Sequence, residues 1–217
     1  MRDSFSNYLK TIYEASFTKE HTTNKQIATL MGVLPGSVTE AVGNLVIAGY
    51  VTRQKYHGIS LTTAGYQQVC QLMYRYRLCE VWLAKIIQLP LPVIPEQAWL
   101  MAAIDNPELL RQLDIQLNHP QRSPFGGQLN IQANQPGPAW HSLETITSGQ
   151  TIMIESYLET VSTIRYCQHS QIASQQIFTC VGKANDIAII TLLDSQQREV
   201  LINTAVARHL YVSKVEQ

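Results

Sequence analysis

The sequence predicts a mainly α-helical N-terminal part followed by a small all-β barrel. Apolar residues recur at helical spacing to about residue 117, a stretch rich in Pro, Gly, Gln and Asn follows, and short strand-length apolar runs fill the remainder. We therefore expect a winged helix-turn-helix at 1–63, a helical dimerisation region at 64–120, a linker at 121–142 and a barrel at 143–217.

The winged helix-turn-helix is predicted by the order of short elements between residues 22 and 61. Residues 24–31 predict a helix that Gly32 ends, because glycine readily adopts the left-handed conformation found after a helix C-terminus. Pro35-Gly36 predicts a turn, and a second helix is expected at about 37–48. Two short strands around a basic tip complete the pattern. An earlier apolar stripe predicts a first helix through Phe5, Tyr8, Leu9, Ile12 and Tyr13.

The second helix and the hairpin carry the candidate DNA contacts. The second helix of a helix-turn-helix lies in the major groove, where Asn pairs well with adenine and Glu accepts from cytosine. Ser and Thr contact bases or phosphates, and basic side chains bind phosphates. We predict contacts from Lys25, Ser37, Thr39, Glu40, Asn44, Arg53, Lys55, Tyr56 and His57.

The composition limits the remaining classes of function. The 217 residues contain 16 Lys+Arg and 16 Asp+Glu, so DNA affinity must come from local clusters of charge. The four cysteines show no CxxC spacing, and the N-terminus lacks the apolar core of a signal peptide. No apolar run approaches the ~18 residues of a membrane span. We expect a cytoplasmic protein that contacts no membrane.

Three helices are predicted after the hairpin. A long helix at 64–88, capped by Thr62 or Thr63, has an apolar stripe wider than one neighbouring element requires, which indicates a dimer interface. A mostly apolar helix follows at 96–104, and Asn106-Pro107 starts a third. The barrel is expected from strands at 151–157, 162–167, 177–181, 187–192, 199–202 and 210–215, with a short helical turn at 203–209.

The chain resembles the DtxR/MntR family of metal-dependent transcriptional repressors. The resemblance rests on NYLKTIYEAS, on QIATLMGVLPGSVTEAVGNLVIAGYVTRQKYHGISLTTAG, on YRYRLCEVWL, and on a later segment that ends in an HP-x-x-x-P-x-G turn. It implies an SH3-like, FeoA-type barrel and a homodimer that binds a palindromic double-stranded DNA operator. Because no nucleophile elbow, phosphate loop or HExxH motif occurs, we expect no enzyme activity.

The family binds Fe(II) or Mn(II) through side chains of the first helix, the long helix and the helix after it. The resemblance leaves Glu80 as the remnant of this site. The other ligand positions hold Asn7, Tyr76, Pro95, Trp99, Ala102 and Ala103. Because Trp and Ala offer no donor atom and these metals need several oxygen or nitrogen donors, we predict that the site is lost and that no metal cofactor is bound.

Three alternatives stay open at this point. A rebuilt sensor site, to which Cys79 could contribute, would make the protein responsive to a metal or to an unidentified small-molecule effector. A protein-interaction adaptor that no longer binds DNA is favoured slightly by the zero net charge and by Glu40. A ligand pocket near Trp82, Trp99 and Met101 is the third alternative, although such residues usually form plain core.

Overall fold

The computed structural model describes residues 4–17, 21–54, 58–130 and 140–215. Its N-terminal part has the element order α1 (Ser4–Ala15), α2 (Asn24–Met31), α3 (Pro35–Ile47), β1 (Val51–Gln54), β2 (Gly58–Leu61), α4 (Thr63–Lys85), α5 (Ile94–Met101) and α6 (Pro107–Gln116). Its C-terminal part contains β3 (His141–Ser142), β4 (Thr151–Tyr157), α7 (Val161–His169), β5 (Ile177–Ala184), β6 (Ile189–Asp194), β7 (Glu199–Asn203), α8 (Thr204–Ala207) and β8 (Leu210–Lys214).

The helix-turn-helix forms where local signals predict it. Thr23 caps α2 by accepting a hydrogen bond from the Gln26 amide, and Gly32 ends that helix with a φ of 65°. The predicted turn at Pro35-Gly36 is wrong, since both residues belong to the first turn of α3, where the fixed φ of proline suits a helix start.

The angle between α2 and α3 is 112°, within the range of helix-turn-helix motifs. In the described part of the chain, no single helix is long and apolar enough to cross a membrane. The bent α2–α3 pair passes that test on length and composition alone.

The C-terminal part is one antiparallel sheet of six strands in the order β3-β8-β4-β5-β6-β7, counted over the described residues. A helical N-terminal part followed by an antiparallel β domain confirms the predicted fold class. The strand predicted at 162–167 is wrong, because these residues lie in α7, which Thr160 caps. The side chains that α7 buries are Thr163, Ile164 and Cys167, at the i, i+1, i+4 spacing of a helix.

Residues 121–130, which the sequence assigned to the linker 121–142, form a packed turn. Phe125 and Leu129 are buried, and the Phe125 carbonyl accepts hydrogen bonds from the Tyr157 amide (3.2 Å) and the Ser156 hydroxyl (3.0 Å). The turn therefore attaches the chain to β4. Residues 131–139 lie outside the described part, and the predicted domain boundaries stay a prediction.

One hydrophobic core joins the two parts of the molecule. The ring of Phe17, just after α1, contacts Trp140 at 5.1 Å and Tyr211 of β8 at 5.4 Å between centroids. The β domain therefore packs directly against the end of the first helix.

Candidate nucleic-acid interface and buried charge cluster

The solvent-facing side of α3 carries the predicted base contacts. Ser37, Thr39, Glu40 and Asn44 are exposed, whereas Val38, Val42 and Leu45 are fully buried against the winged helix core. The helix thus presents a polar face at the point where a recognition helix would enter the major groove.

Thr39 also has a structural part in the motif. Its hydroxyl donates to the Pro35 carbonyl (3.0 Å) and accepts from the Asn24 side chain (2.9 Å), which ties the start of α2 to α3. We infer that Thr39 fixes the angle between the two helices, in addition to any contact with DNA.

The basic residues flank this face. Lys25 on α2 and Arg53 on β1 are both exposed. The predicted contacts Lys55, Tyr56 and His57 lie outside the described residues. The sequence analysis missed Leu34, which is 76% exposed immediately before α3 and suits an apolar contact with a thymine methyl group. An apolar residue directly before the second helix of such a motif was the available signal.

An open groove of about 410 Å³ lies between α1, α4, α5 and the loop that follows β4, where the resemblance predicts the metal position. Asn7, Tyr76, Pro95 and Trp99 line this groove, and the rings of Tyr76 and Trp99 meet edge to face at 5.3 Å. Ala102 is buried and Ala103 is exposed. Two of the positions that the resemblance aligns with metal ligands therefore form an aromatic contact.

Lys10 brings a positive charge to the same place. Its Nζ lies 4.6 Å from the centroid of the Tyr76 ring and 5.4 Å from that of Trp99. It also forms ion pairs with Glu14 of α1 (3.1 Å) and with Glu159 in the loop after β4 (3.4 Å). The Tyr76 hydroxyl donates to Glu159 at 2.5 Å. Burial opposes the charge of Lys10, but the surrounding carboxylates raise its pKa above the ordinary lysine value.

Among the positions that the resemblance aligns with metal ligands, Glu80 carries the carboxyl group. It is fully buried, and neither of its oxygens has a hydrogen-bond partner among the described residues. Burial, and then the charge of Glu159, raise the pKa of Glu80 well above its ordinary value, whereas Lys10 opposes the shift. Burial therefore favours the protonated, neutral form of Glu80.

Arg77 forms a second buried cation beside this cluster. Its Nη1 donates to the Gln128 carbonyl at 2.5 Å, and its guanidinium lies 5.7 Å from the centroid of the Tyr13 ring. Burial works against its charge, but Tyr13 and Glu159 raise the pKa of Arg77 above its ordinary value. Arg77 therefore joins α1 and α4 to the packed turn at 121–130.

The side chains around the groove do not fit Fe(II) or Mn(II) as ligands. Trp99 and Ala102 offer no ligand atom, and the ammonium of Lys10 already lies between Glu14 and Glu159, where it would repel a divalent ion. Within the described ranges, no group of three or more His, Cys, Asp or Glu side chains is arranged to hold a metal. Cys79 is buried inside α4 and is not exposed to the groove solvent.

Comparison with known proteins identifies the family. The family described as "Iron dependent repressor, N-terminal DNA binding domain" matches residues 1–59, and "Iron dependent repressor, metal binding and dimerisation domain" matches residues 62–129. An uncharacterised HTH-type transcriptional regulator of Methanocaldococcus jannaschii is 27% identical over 53% of this chain and 93% of its own length. The HTH-type transcriptional regulator MntR of Lysinibacillus sphaericus is 34% identical over 38% of this chain and 60% of its own length.

Solved structures agree over nearly the full length. The manganese regulator SloR superposes with a TM-score of 0.81 at 25% identity and covers 99% of this chain and 100% of its own. T. acidophilum IdeR has a TM-score of 0.82 at 18% identity, covering 99% of this chain and 100% of its own, which supports the fold. The chain therefore belongs to the DtxR/MntR family of metal-dependent transcriptional repressors, and its N-terminal part is the DNA-binding domain of that family.

Proposed function

We propose that this protein is a cytoplasmic, homodimeric repressor that binds a palindromic DNA operator without Fe(II) or Mn(II) at the family site. The observation that carries the proposal is the combination of an exposed polar recognition face on α3 with a family metal position occupied by Trp99, Ala102 and the ammonium of Lys10. We therefore expect that DNA binding is kept and that control by Fe(II) or Mn(II) is lost.

The dimer is supported by apolar side chains left exposed on the helical region. These are Ile86 and Ile87 after α4, Val93 and Leu100 on or before α5, and Leu109 and Ile115 on α6. A second copy packed against this surface would remove it from water. Two-fold symmetry would place two recognition helices on one side of the DNA, about one helical turn apart.

DNA binding can be tested with duplexes selected from a random library by the wild-type protein. Lys25→Ala and Arg53→Ala should weaken binding to every sequence, and each should reduce the slope of log K against log salt by about 0.9 because a phosphate contact is lost. Asn44→Ala should instead relax the preference at one base pair, at a cost of about 1–3 kcal/mol.

Lys214→Ala is the matched control for the two basic variants, because Lys214 is exposed on β8 of the other part of the molecule. It should leave both affinity and salt slope unchanged. If Lys25→Ala and Arg53→Ala behave like Lys214→Ala, or if the library yields no preferred sequence, the protein-interaction adaptor becomes the better assignment.

Metal independence gives a separate prediction. Chelator-treated protein should bind the selected duplex with the same affinity, within about twofold, before and after addition of Mn(II) or, without oxygen, Fe(II). Fluorescence anisotropy at constant ionic strength measures this directly. A gain of tenfold or more on addition of either metal would contradict the proposal and would point to a sensor site rebuilt around Glu80.

A further inference from the structure

A side-chain cation lies where the family resemblance places a metal cation. Lys10 lies three positions after Asn7 on α1, almost one helical turn, so both residues are on the same side of that helix. The Nζ atom contacts the faces of Tyr76 on α4 and Trp99 on α5, at 4.6 and 5.4 Å from the ring centroids. Both aromatic residues occupy former ligand positions, and aromatic faces attract ammonium groups.

The same ammonium reaches the β domain. Glu159 lies in the loop between β4 and α7, and its carboxylate pairs with Lys10 at 3.4 Å while accepting from the Tyr76 hydroxyl at 2.5 Å. The Glu14 carboxylate is the second ion-pair partner, at 3.1 Å from the Lys10 Nζ. One positive charge therefore holds together α1, α4, α5 and the β domain.

The ion pairs that Lys10 makes with Glu14 and Glu159 are largely shielded from water. The side chains of Lys10, Glu14 and Glu159 are only 19%, 13% and 7% exposed. Loss of the ammonium would leave two neighbouring carboxylates unpaired in a poorly hydrated place, which is costly.

We propose that Lys10 is a built-in, covalently attached replacement for the effector cation, and that it holds the winged helix permanently in its DNA-binding orientation. This inference rests on the proposed function, namely DNA binding without Fe(II) or Mn(II). An ion that binds reversibly can report its own concentration, whereas a side chain cannot leave. The repressor is therefore constitutive with respect to this site, and Lys10 acts as a positioning residue at a distance from DNA.

The test compares Lys10→Met, which removes the charge and keeps the length, with Lys10→Arg, which keeps the charge. Lys10→Met should lower affinity for the selected duplex at least tenfold at a temperature where circular dichroism shows it fully folded. Lys10→Arg should stay within about threefold of the wild type, because its guanidinium can still pair with Glu14 and Glu159. Lys214→Met serves as the control for loss of a lysine.

Hydrogen exchange of the α1 amides gives a readout that does not depend on DNA. Exchange should speed up in Lys10→Met and stay unchanged in Lys10→Arg and Lys214→Met. Glu159→Gln is the second variant, and it should weaken operator binding in the same way. If Lys10→Met does not fold, the operator affinity of Glu159→Gln tests the proposal instead.

The outcomes separate the two proposals. Wild-type affinity in folded Lys10→Met and Glu159→Gln, together with unchanged exchange in α1, would overturn the role of Lys10 and leave the proposed function intact. Failure of the wild type to select any duplex would overturn the proposed function. Faster exchange in Lys10→Met would then show that the cation still fixes α1 against the β domain, whereas unchanged exchange would overturn both.

Discussion

Gly126→Ala should lower the free energy of unfolding by at least about 3 kcal/mol. Gly126 has a φ of 88°, and a Cβ atom there would lie 2.1 Å from the Glu155 carbonyl oxygen and 2.9 Å from the Ser156 Cα. Both obstacles are backbone atoms of β4, so no side-chain rotation can relieve the overlap. Urea denaturation of the two proteins measures the difference.

Gly149→Ala is a matched control, because Gly149 also has a φ of 88° but a methyl group added there would have open space for 4 Å around it. Gly149→Ala should lower the free energy of unfolding only by the strain of an alanine in the left-handed conformation, about 1–2 kcal/mol. The difference between the two variants therefore measures the close approach of the turn to β4. Equal losses in both variants would show that the turn at 121–130 can move away from the sheet.

The close approach at Gly126 also explains how the guanidinium groups of Arg122 and Arg77 are held. Arg122 beside it donates to the carbonyls of Gly126 (3.1 Å) and Glu155 (3.2 Å), and it pairs with the Glu155 carboxylate at 2.9 Å. A Cβ atom on Gly127 would lie 2.4 Å from the Arg77 Nε. Two adjacent glycines thus let the turn lie between β4 on one side and the guanidinium of Arg77 on the other.

The sequence predicts the elements whose signals are local. Gly32 ends α2, Asn106 caps α6 through the Leu109 amide, and Thr62 caps α4 through the Gly65 amide. Each signal acts within a few residues, so neighbouring sequence is sufficient. The prediction of a strand at 162–167 is wrong because the spacing of its apolar residues fits a helix as well as a strand. The N-cap at Thr160 favours the helix.

The charge cluster could not be predicted because its members are far apart in the chain. Lys10 and Glu159 are separated by 149 residues, and Tyr76 and Glu159 by 83. The family resemblance predicts which ligands are replaced, but it does not predict that Lys10, which is outside the ligand set, lies over the rings of Tyr76 and Trp99. The packed turn at 121–130 was missed for the same reason, since its Pro, Gly and Gln composition is that of a linker until β4 and Arg77 are placed beside it.

Glu80→Gln should make the free energy of unfolding less sensitive to rising pH. The pKa of Glu80 is raised in the native state, mainly by burial, so the native protein retains a proton that the unfolded chain releases above its ordinary pKa. A raised carboxyl pKa therefore stabilises the fold at low pH, and the stabilisation is lost as pH rises toward the native pKa. Over the range in which Glu80 is neutral when folded and ionised when unfolded, it lowers stability by about 1.4 kcal/mol per pH unit.

Glutamine has the same shape and cannot ionise, so Glu80→Gln should remove this slope. Burial also raises the pKa of Glu14, whereas its ion pair with Lys10 lowers it, and both proteins keep this group. Urea denaturation at a series of pH values above 4.5 should therefore show a difference in stability that shifts in favour of Glu80→Gln as pH rises toward the native pKa of Glu80. Glu199→Gln, at an exposed position on β7, should run parallel to the wild type. A constant difference between Glu80→Gln and the wild type would mean that Glu80 is ionised in the native protein.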